Sequence, residues 1–141
     1  MTQYCLGFLF NEKLTQVALI RKTKPEWQAG KVNGIGGKIE PTESLPDAMV
    51  REFIEETGVT INDWKHYCTM AKDDTFKVYV YAAIGDLTKL KTTTEEEVII
   101  FDINQMDLLR DELLTNVPWL IEMAMDKLKN NEFEWAMVNY Y

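Results

Sequence analysis

The sequence predicts an α/β (α+β) domain built on a mixed β-sheet, and three observations predict it. Short β-rich runs stand on both sides of one strongly patterned helix. The 141 residues suffice for one hydrophobic core and are most simply one domain, 1–141. No internal repeat, linker or low-complexity tract divides them.

The first two runs, "QYCLGFLF" and "QVALIRK", are joined by "NEKL", a hairpin connection. "TKPEWQAGKVNGIGGKIEPTE" then concentrates Gly, Pro and polar residues, as a long functional loop does, with a brief extended piece near Ile35 and Ile39. The clearest helix covers residues 44–57. Ser44 caps it, Asp47 stands three residues on as in a capping box, Pro46 fits the first turn, and Gly58 stops it. Leu45, Ala48, Met49 and Phe53 recur at helical spacing, while Val50 and Ile54 lie towards another side, so this helix is expected to be covered on two sides. "WKHYCTM", "FKVYVYAAI" and "EVIIFDI" read as further strands, with Asp73 and Asp74 marking a turn. Two late helices are expected over 106–114 and 118–129. "FEWAMVNY" reads as a last strand or a helix tail.

Apolar residues make up 46% and charged residues 27%, the balance of a soluble globular protein. A net charge of -8 repels both nucleic-acid polymers and anionic membrane. An acidic chain that handles phosphates therefore needs bound cations. The longest apolar runs, 98–101 and 117–121, are too short to span a bilayer, and "MTQYCLGFLFNEK" lacks the marks of a signal peptide. Cys5 and Cys68 read as buried free thiols in a reducing compartment, so a cytoplasmic location is expected.

The helix carries unusual chemistry. Glu52, Glu55 and Glu56 are spaced i, i+3 and i+4, which puts them on one stripe of its surface. Like charges at that spacing repel and raise one another's pKa. Arg51 neutralises part of the charge, and the surplus invites a divalent cation. Carboxylates without His or Cys favour Mg²⁺ or Mn²⁺. An exposed glutamate pair is ordinarily a solvated face; here the glutamates emerge from an apolar helix fed by a glycine-rich loop, which weighs against that.

From Gly37 to Val59 the chain reads "GKIEPTESLPDAMVREFIEETGV". After Gly37 come five residues, Glu43, seven residues, Arg51-Glu52, apolar Phe53, any residue, Glu55-Glu56, any residue, Gly58 and apolar Val59. This resembles the Nudix box at every defined position. Seven fixed identities at about one in twenty each give odds on the order of one in a billion per starting position. Chance does not account for the match.

The resemblance implies a Nudix α/β/α sandwich and divalent-metal-dependent cleavage of a nucleoside diphosphate linked to another group. It implies Mg²⁺ (or Mn²⁺) as cofactor, with Glu52, Glu55, Glu56 and the Gly37 carbonyl as ligands. Arg51 orients the glutamates by pairing with Glu43 or Glu55, and Glu43 and Gly58 are structural. The general base is Glu55 or Glu56 within the box; outside it, "TTTEEEVII" offers Glu96 and Glu97 just before a strand.

"GKVNGIGGKIE" is similar to the "WNGFGGK" stretch of MutT-type members, which hydrolyse nucleoside triphosphates including oxidised purine ones; Val32 stands where those often have Trp. By that resemblance Asn33 reads the base, since an amide offers donor and acceptor together. Lys38 is placed to touch a phosphate, as are Arg21 and Lys22. In "TNVPWLIEMAMD", Asn116 and Trp119 stand where MutT-type members contact the base, although Trp119 equally suits a core position beside Leu120 and Met123. His66, alone in a strand pattern, reads as structural. The expected substrate is a nucleoside triphosphate, with 8-oxo-dGTP foremost. A nucleoside diphosphate sugar such as ADP-ribose is the rival, and a catalytically silent nucleotide-binding module a third reading. The chain is expected to act as a monomer or homodimer.

Overall fold

A computed structural model describes residues 1–130 and 133–141. Eight strands, β1 (Thr2–Phe10), β2 (Gln16–Arg21), β3 (Val32–Asn33), β4 (Ile35–Lys38), β5 (Lys65–Lys72), β6 (Phe76–Ile84), β7 (Val98–Asp102) and β8 (Ala136–Asn139), join with helices α1 (Leu45–Thr57) and α2 (Val117–Asn130). The strands form one mixed sheet ordered β3-β2-β1-β6-β5-β8, with β4 on β1 and β7 on β2. β1 runs parallel to β6 and β5 parallel to β8; the other pairings are antiparallel.

Period-two alternation along the central strands sorts side chains to the two faces. On β1, Leu6, Phe8 and Phe10 join the core under α2, whereas Cys5 and Leu9 join the core under α1. Val17 and Leu19 against Ala18 and Ile20 repeat this on β2, as do Val80 and Ala82 against Tyr81 and Ala83 on β6. The result is the expected α/β/α sandwich. Fully buried Phe53 and Met49 hold α1 down, each contributing about 1.5–3 kcal/mol of burial. On the other face the buried Tyr67 hydroxyl donates to the Leu120 carbonyl at 2.9 Å and ties β5 to α2.

The sheet also delivers the loop to the helix. β1 and β2 pair only at Leu9↔Ala18 and Phe10↔Val17. β4 then takes β1 at Tyr4 to Gly7, and β3 takes β2 at Ile20 and Arg21. This short β3–β4 bend, foreseen only as an extended piece, carries Gly37 to the side of α1.

Two sequence expectations change, and one alternative is resolved. The helix expected over 106–114 does not form: turns at 106–109 and a single 3₁₀ turn at Arg110–Glu112 stand there instead, after another at Ile103–Gln105. Leu108 is 82% exposed, while Met106 and Leu113 reach the core under α2 without a helix. The end of the segment is drawn into extended pairing, where Leu113 bridges Val32 and Leu114 N–H donates to the Val32 carbonyl. Helix α1 is covered on one side only, since Ile54 is 39% exposed and Val50 half-buried. The segment "FEWAMVNY" supplies a strand, β8, pairing with β5.

Candidate active site

Helix α1 begins as its sequence dictates, with Ser44 Oγ accepting from Asp47 N–H at 3.2 Å. It ends at Gly58, whose φ of 78° is a left-handed conformation and whose N–H donates to the Ile54 carbonyl. Between these stops Arg51 organises the carboxylates. Its Nε and Nη2 grip Glu43 at 2.9 and 2.6 Å, a bidentate fork. Nη1 donates to Glu52 at 3.0 Å and to Glu55 at 3.2 Å, and Nη2 also reaches the Lys38 carbonyl. The fork holds the Glu43 carboxyl down at about 2, and the same bond pushes the Arg51 pKa up. Arg51 therefore pairs with Glu43, Glu52 and Glu55 together.

Glu52 is the most confined of the three box glutamates, 8% exposed. Its carboxylate lies against Gly37 so closely that a Cβ there would fall 2.5 Å from Oε2, so a larger residue at 37 would push the carboxylate out of place. Burial raises the Glu52 pKa; Arg51 offsets part of this, while Glu55 and Glu56 add to it. Glu56 is half-buried and raised for the same first reason, with Thr94 Oγ1 donating to its Oε2 at 3.1 Å. Glu55 is exposed, and among the described residues its carboxylate is held by Arg51 alone.

Five carboxylates (Glu43, Glu52, Glu55, Glu56 and Glu96) face the cations Arg51 and Lys22, so the cluster keeps an excess of negative charge. The donors are hard oxygens, two of them on desolvated carboxylates, and that chemistry fits Mg²⁺ or Mn²⁺. Among the described residues, no three His, Cys, Asp or Glu side chains already converge on one point. Arg51 holds Glu52 and Glu55, and Thr94 holds Glu56, in this arrangement.

The two glutamates outside the box part ways. Glu96 is 6% exposed, and its carboxylate accepts from Lys22 Nζ at 3.0 Å, Thr23 N–H at 2.7 Å and Thr23 Oγ1 at 3.2 Å. Burial alone would raise its pKa, but these donors outweigh it and leave the pKa lowered. Glu97 is exposed and lines, with Arg21, Thr23 and Gly30, a cleft of about 400 Å³. Lys22 is thus committed to Glu96. Arg21 is committed to Glu112 at 3.1 Å and to the Gly30 carbonyl, while the Lys38 side chain is exposed.

On the side expected to meet the base, the Val32 bridge brings the start of α2 beside β3, which carries Asn33. Asn33 Oδ1 accepts from Gly34 N–H at 2.8 Å, and Asn116 Nδ2 meets Met70 Sδ at 3.5 Å. Among the described residues no hydrogen bond joins Asn33 to Asn116. Trp119 is 37% exposed beside the buried Leu120, so its ring is not enclosed in the core. A second cleft of about 300 Å³, lined by Lys31, Leu113, Thr115 and Pro118, opens at the start of α2. His66 Nε2 lies 2.8 Å from Thr69 Oγ1 among Tyr79, Tyr81 and Trp135, and burial lowers its pKa, in keeping with a structural role. Cys5 and Cys68 are buried free thiols, each pushed up to about 11 by burial. Among the described residues no helix is long and apolar enough to cross a membrane.

Sequence reasoning passed over the hydroxyls at 92–94. The signal was present, three threonines directly before three glutamates, but only the glutamates drew notice.

A NUDIX domain profile matches residues 4–121. An oxidized purine nucleoside triphosphate hydrolase of Danio rerio is 41% identical over 44 residues, which are 31% of this chain and only 28% of that protein. The MutT protein of Bacillus halodurans superposes with a TM-score of 0.69 at 16% identity, over 99% of this chain and 90% of that one. An ADP-ribose pyrophosphatase of Streptococcus suis superposes at 0.73 and 12% identity, over 96% and 98%. At such identities the two structural likenesses speak for the fold alone.

Proposed function

The chain belongs to the NUDIX family, typically divalent-metal-dependent pyrophosphohydrolases, and on that premise we propose that it hydrolyses nucleoside triphosphates to a nucleoside monophosphate and pyrophosphate. The observation that carries this reading is the glutamate cluster on α1, desolvated, excessively negative and set beside Gly37. A pyrophosphate is itself anionic, so an acidic surface of this kind suits it only through bound cations. Glu52 and Glu56, with the Gly37 carbonyl, would hold Mg²⁺ or Mn²⁺. When bound, the ion neutralises charge on the phosphate oxygens and acidifies water.

The remaining chemistry belongs to the chain. Arg51 holds Glu52 and Glu55 in register with Glu43 as its counterweight. Glu55, the most exposed box glutamate, accepts a proton from water as the water oxygen bonds to phosphorus; the bridging P–O bond then opens and pyrophosphate leaves. The donors on Glu96 argue against it as the proton acceptor. Asn33 and Asn116 offer amides for the base, and Trp119 a partly exposed ring for stacking.

Among triphosphates, the local likeness to an oxidized purine nucleoside triphosphate hydrolase favours 8-oxo-dGTP. A second reading is hydrolysis of ADP-ribose, since the Streptococcus suis pyrophosphatase is built on the same fold. A panel of nucleoside triphosphates, 8-oxo-dGTP and ADP-ribose with Mg²⁺, scored for pyrophosphate and monophosphate, separates them. Pyrophosphate release from triphosphates is expected, and exclusive turnover of ADP-ribose would replace the first reading by the second. Asn33→Ala should raise KM for a purine triphosphate without changing turnover of a simple phosphate ester. An unchanged KM would remove Asn33 from the base site.

A further inference from the structure

Residues 91–97 cross the C-terminal half of α1 as a strap. Two contacts dock the strap to the helix backbone: Lys91 N–H donates to the Thr57 carbonyl at 3.1 Å, and Thr93 Oγ1 donates to the Glu55 carbonyl. A third braces its far end, where Val98 N–H donates to Thr92 Oγ1 at 3.0 Å. Thr94 does something different. Its Oγ1 accepts the Glu96 N–H at 3.1 Å and donates to Glu56 Oε2 at 3.1 Å. With the lone pair engaged by the strap, the hydroxyl proton is aimed at the carboxylate. Glu96 is a firm anchor for this arrangement, since its buried carboxylate takes bonds from Lys22 and Thr23.

We propose that Thr94 is a positioning residue, which fixes the Glu56 carboxylate at the ion site and ties it to the Glu96 anchor. The inference rests on the reading of Glu56 as a metal ligand. Glu56 needs such a hold, because both Glu55 and Glu96 repel it and its long side chain is otherwise free to relax towards water. The Lys91 and Thr93 bonds keep the strap docked without Thr94, so removing this one hydroxyl separates positioning from docking.

The test uses the full chain with Thr94→Val, which keeps shape without the hydroxyl, and Thr94→Ser, which restores it. Mn²⁺ affinity is read by EPR without nucleotide, and kcat and KM are read with Mg²⁺. Thr94→Val should lose about ten- to a hundredfold in Mn²⁺ affinity and in kcat, with KM nearly unchanged, as is usual when a partner of a metal ligand is removed. Thr94→Ser should recover most of both. Parent-like Mn²⁺ affinity and kcat in Thr94→Val would overturn the proposal, as would equal losses in both variants that track a fall in Tm. Glu56→Gln distinguishes the premise: if it binds Mn²⁺ like the parent, the ligand reading of Glu56 fails and takes the proposal with it. If Glu56→Gln loses Mn²⁺ while Thr94→Val keeps it, only the positioning role fails.

Discussion

The loop and helix of residues 37–58 and the segment of residues 103–119 are held in opposite ways. In the first, the restraints around Arg51 and at the helix ends are local. Arg51 meets Glu43 eight residues away and Glu55 four away, and Ser44 caps a helix that Gly58 ends. In the second, the restraints come from afar: Leu114 is fixed by Val32, and Asn116 rests on Met70, 46 residues distant. Local restraint writes a site into residue spacing, whereas distant restraint leaves the spacing free to mislead. In the first region the caps and the carboxylate stripe were foreseen, though not the exposure of Ile54; in the second, residues 106–114 were expected to be a helix.

Gly37→Ala should break the first region most severely. The added Cβ meets the Glu52 carboxylate head-on, so Mn²⁺ affinity and kcat should fall by about ten- to a hundredfold. A parent-like kcat would mean that the Glu52 carboxylate can move without consequence. Arg51→Lys keeps the charge but loses the fork, and should cost about 1–2 kcal/mol in denaturant unfolding, a figure kept low because Arg51 is partly exposed. An unchanged midpoint would reduce Arg51 to a generic surface cation.

A milder change sharpens the comparison through pH. Glu43 is held at about 2 in the folded chain against 4.5 unperturbed. A lowered folded value means stability that is present above the unfolded value and lost as pH falls through the folded one. Glu43→Gln should therefore flatten the decline of Tm between about pH 4.5 and 2. A decline as steep as the parent's would assign it to other carboxylates. The smallest effect belongs to the second region. Leu108→Ser, at an 82% exposed position, should shift stability by no more than about 0.5 kcal/mol. A loss of 2 kcal/mol or more would show that Leu108 is buried after all.

The β-rich composition of "QYCLGFLF" and "FKVYVYAAI" made the central strands legible, and the runs are nearly continuous in apolar residues because each face meets a different helix. The caps of α1 were legible because capping is a local bond. The pairing of β3 and β4 was not, since it arises where β1 and β2 part, and no window of sequence contains both. The site followed the same division. The carboxylates of α1 could be grouped from spacing alone, but Glu96 as an anchor needed Lys22 and Thr23, more than seventy residues earlier. Val50 and Ile54 misled because an apolar residue on a helix says nothing of what covers it.

The central claim is that the α1 carboxylates serve a metal-dependent hydrolysis, and one comparison tests it most directly. Pyrophosphate release from a nucleoside triphosphate is measured as Mg²⁺ is raised from zero, for the parent, Glu52→Gln and Glu97→Gln. The parent should require Mg²⁺. Glu52→Gln should lose on the order of 10³-fold in rate with Tm unchanged, the scale of several kcal/mol of charge stabilisation, while Glu97→Gln stays near the parent. A Glu52→Gln chain that hydrolyses at the parent's rate, or a parent indifferent to Mg²⁺, would contradict the claim.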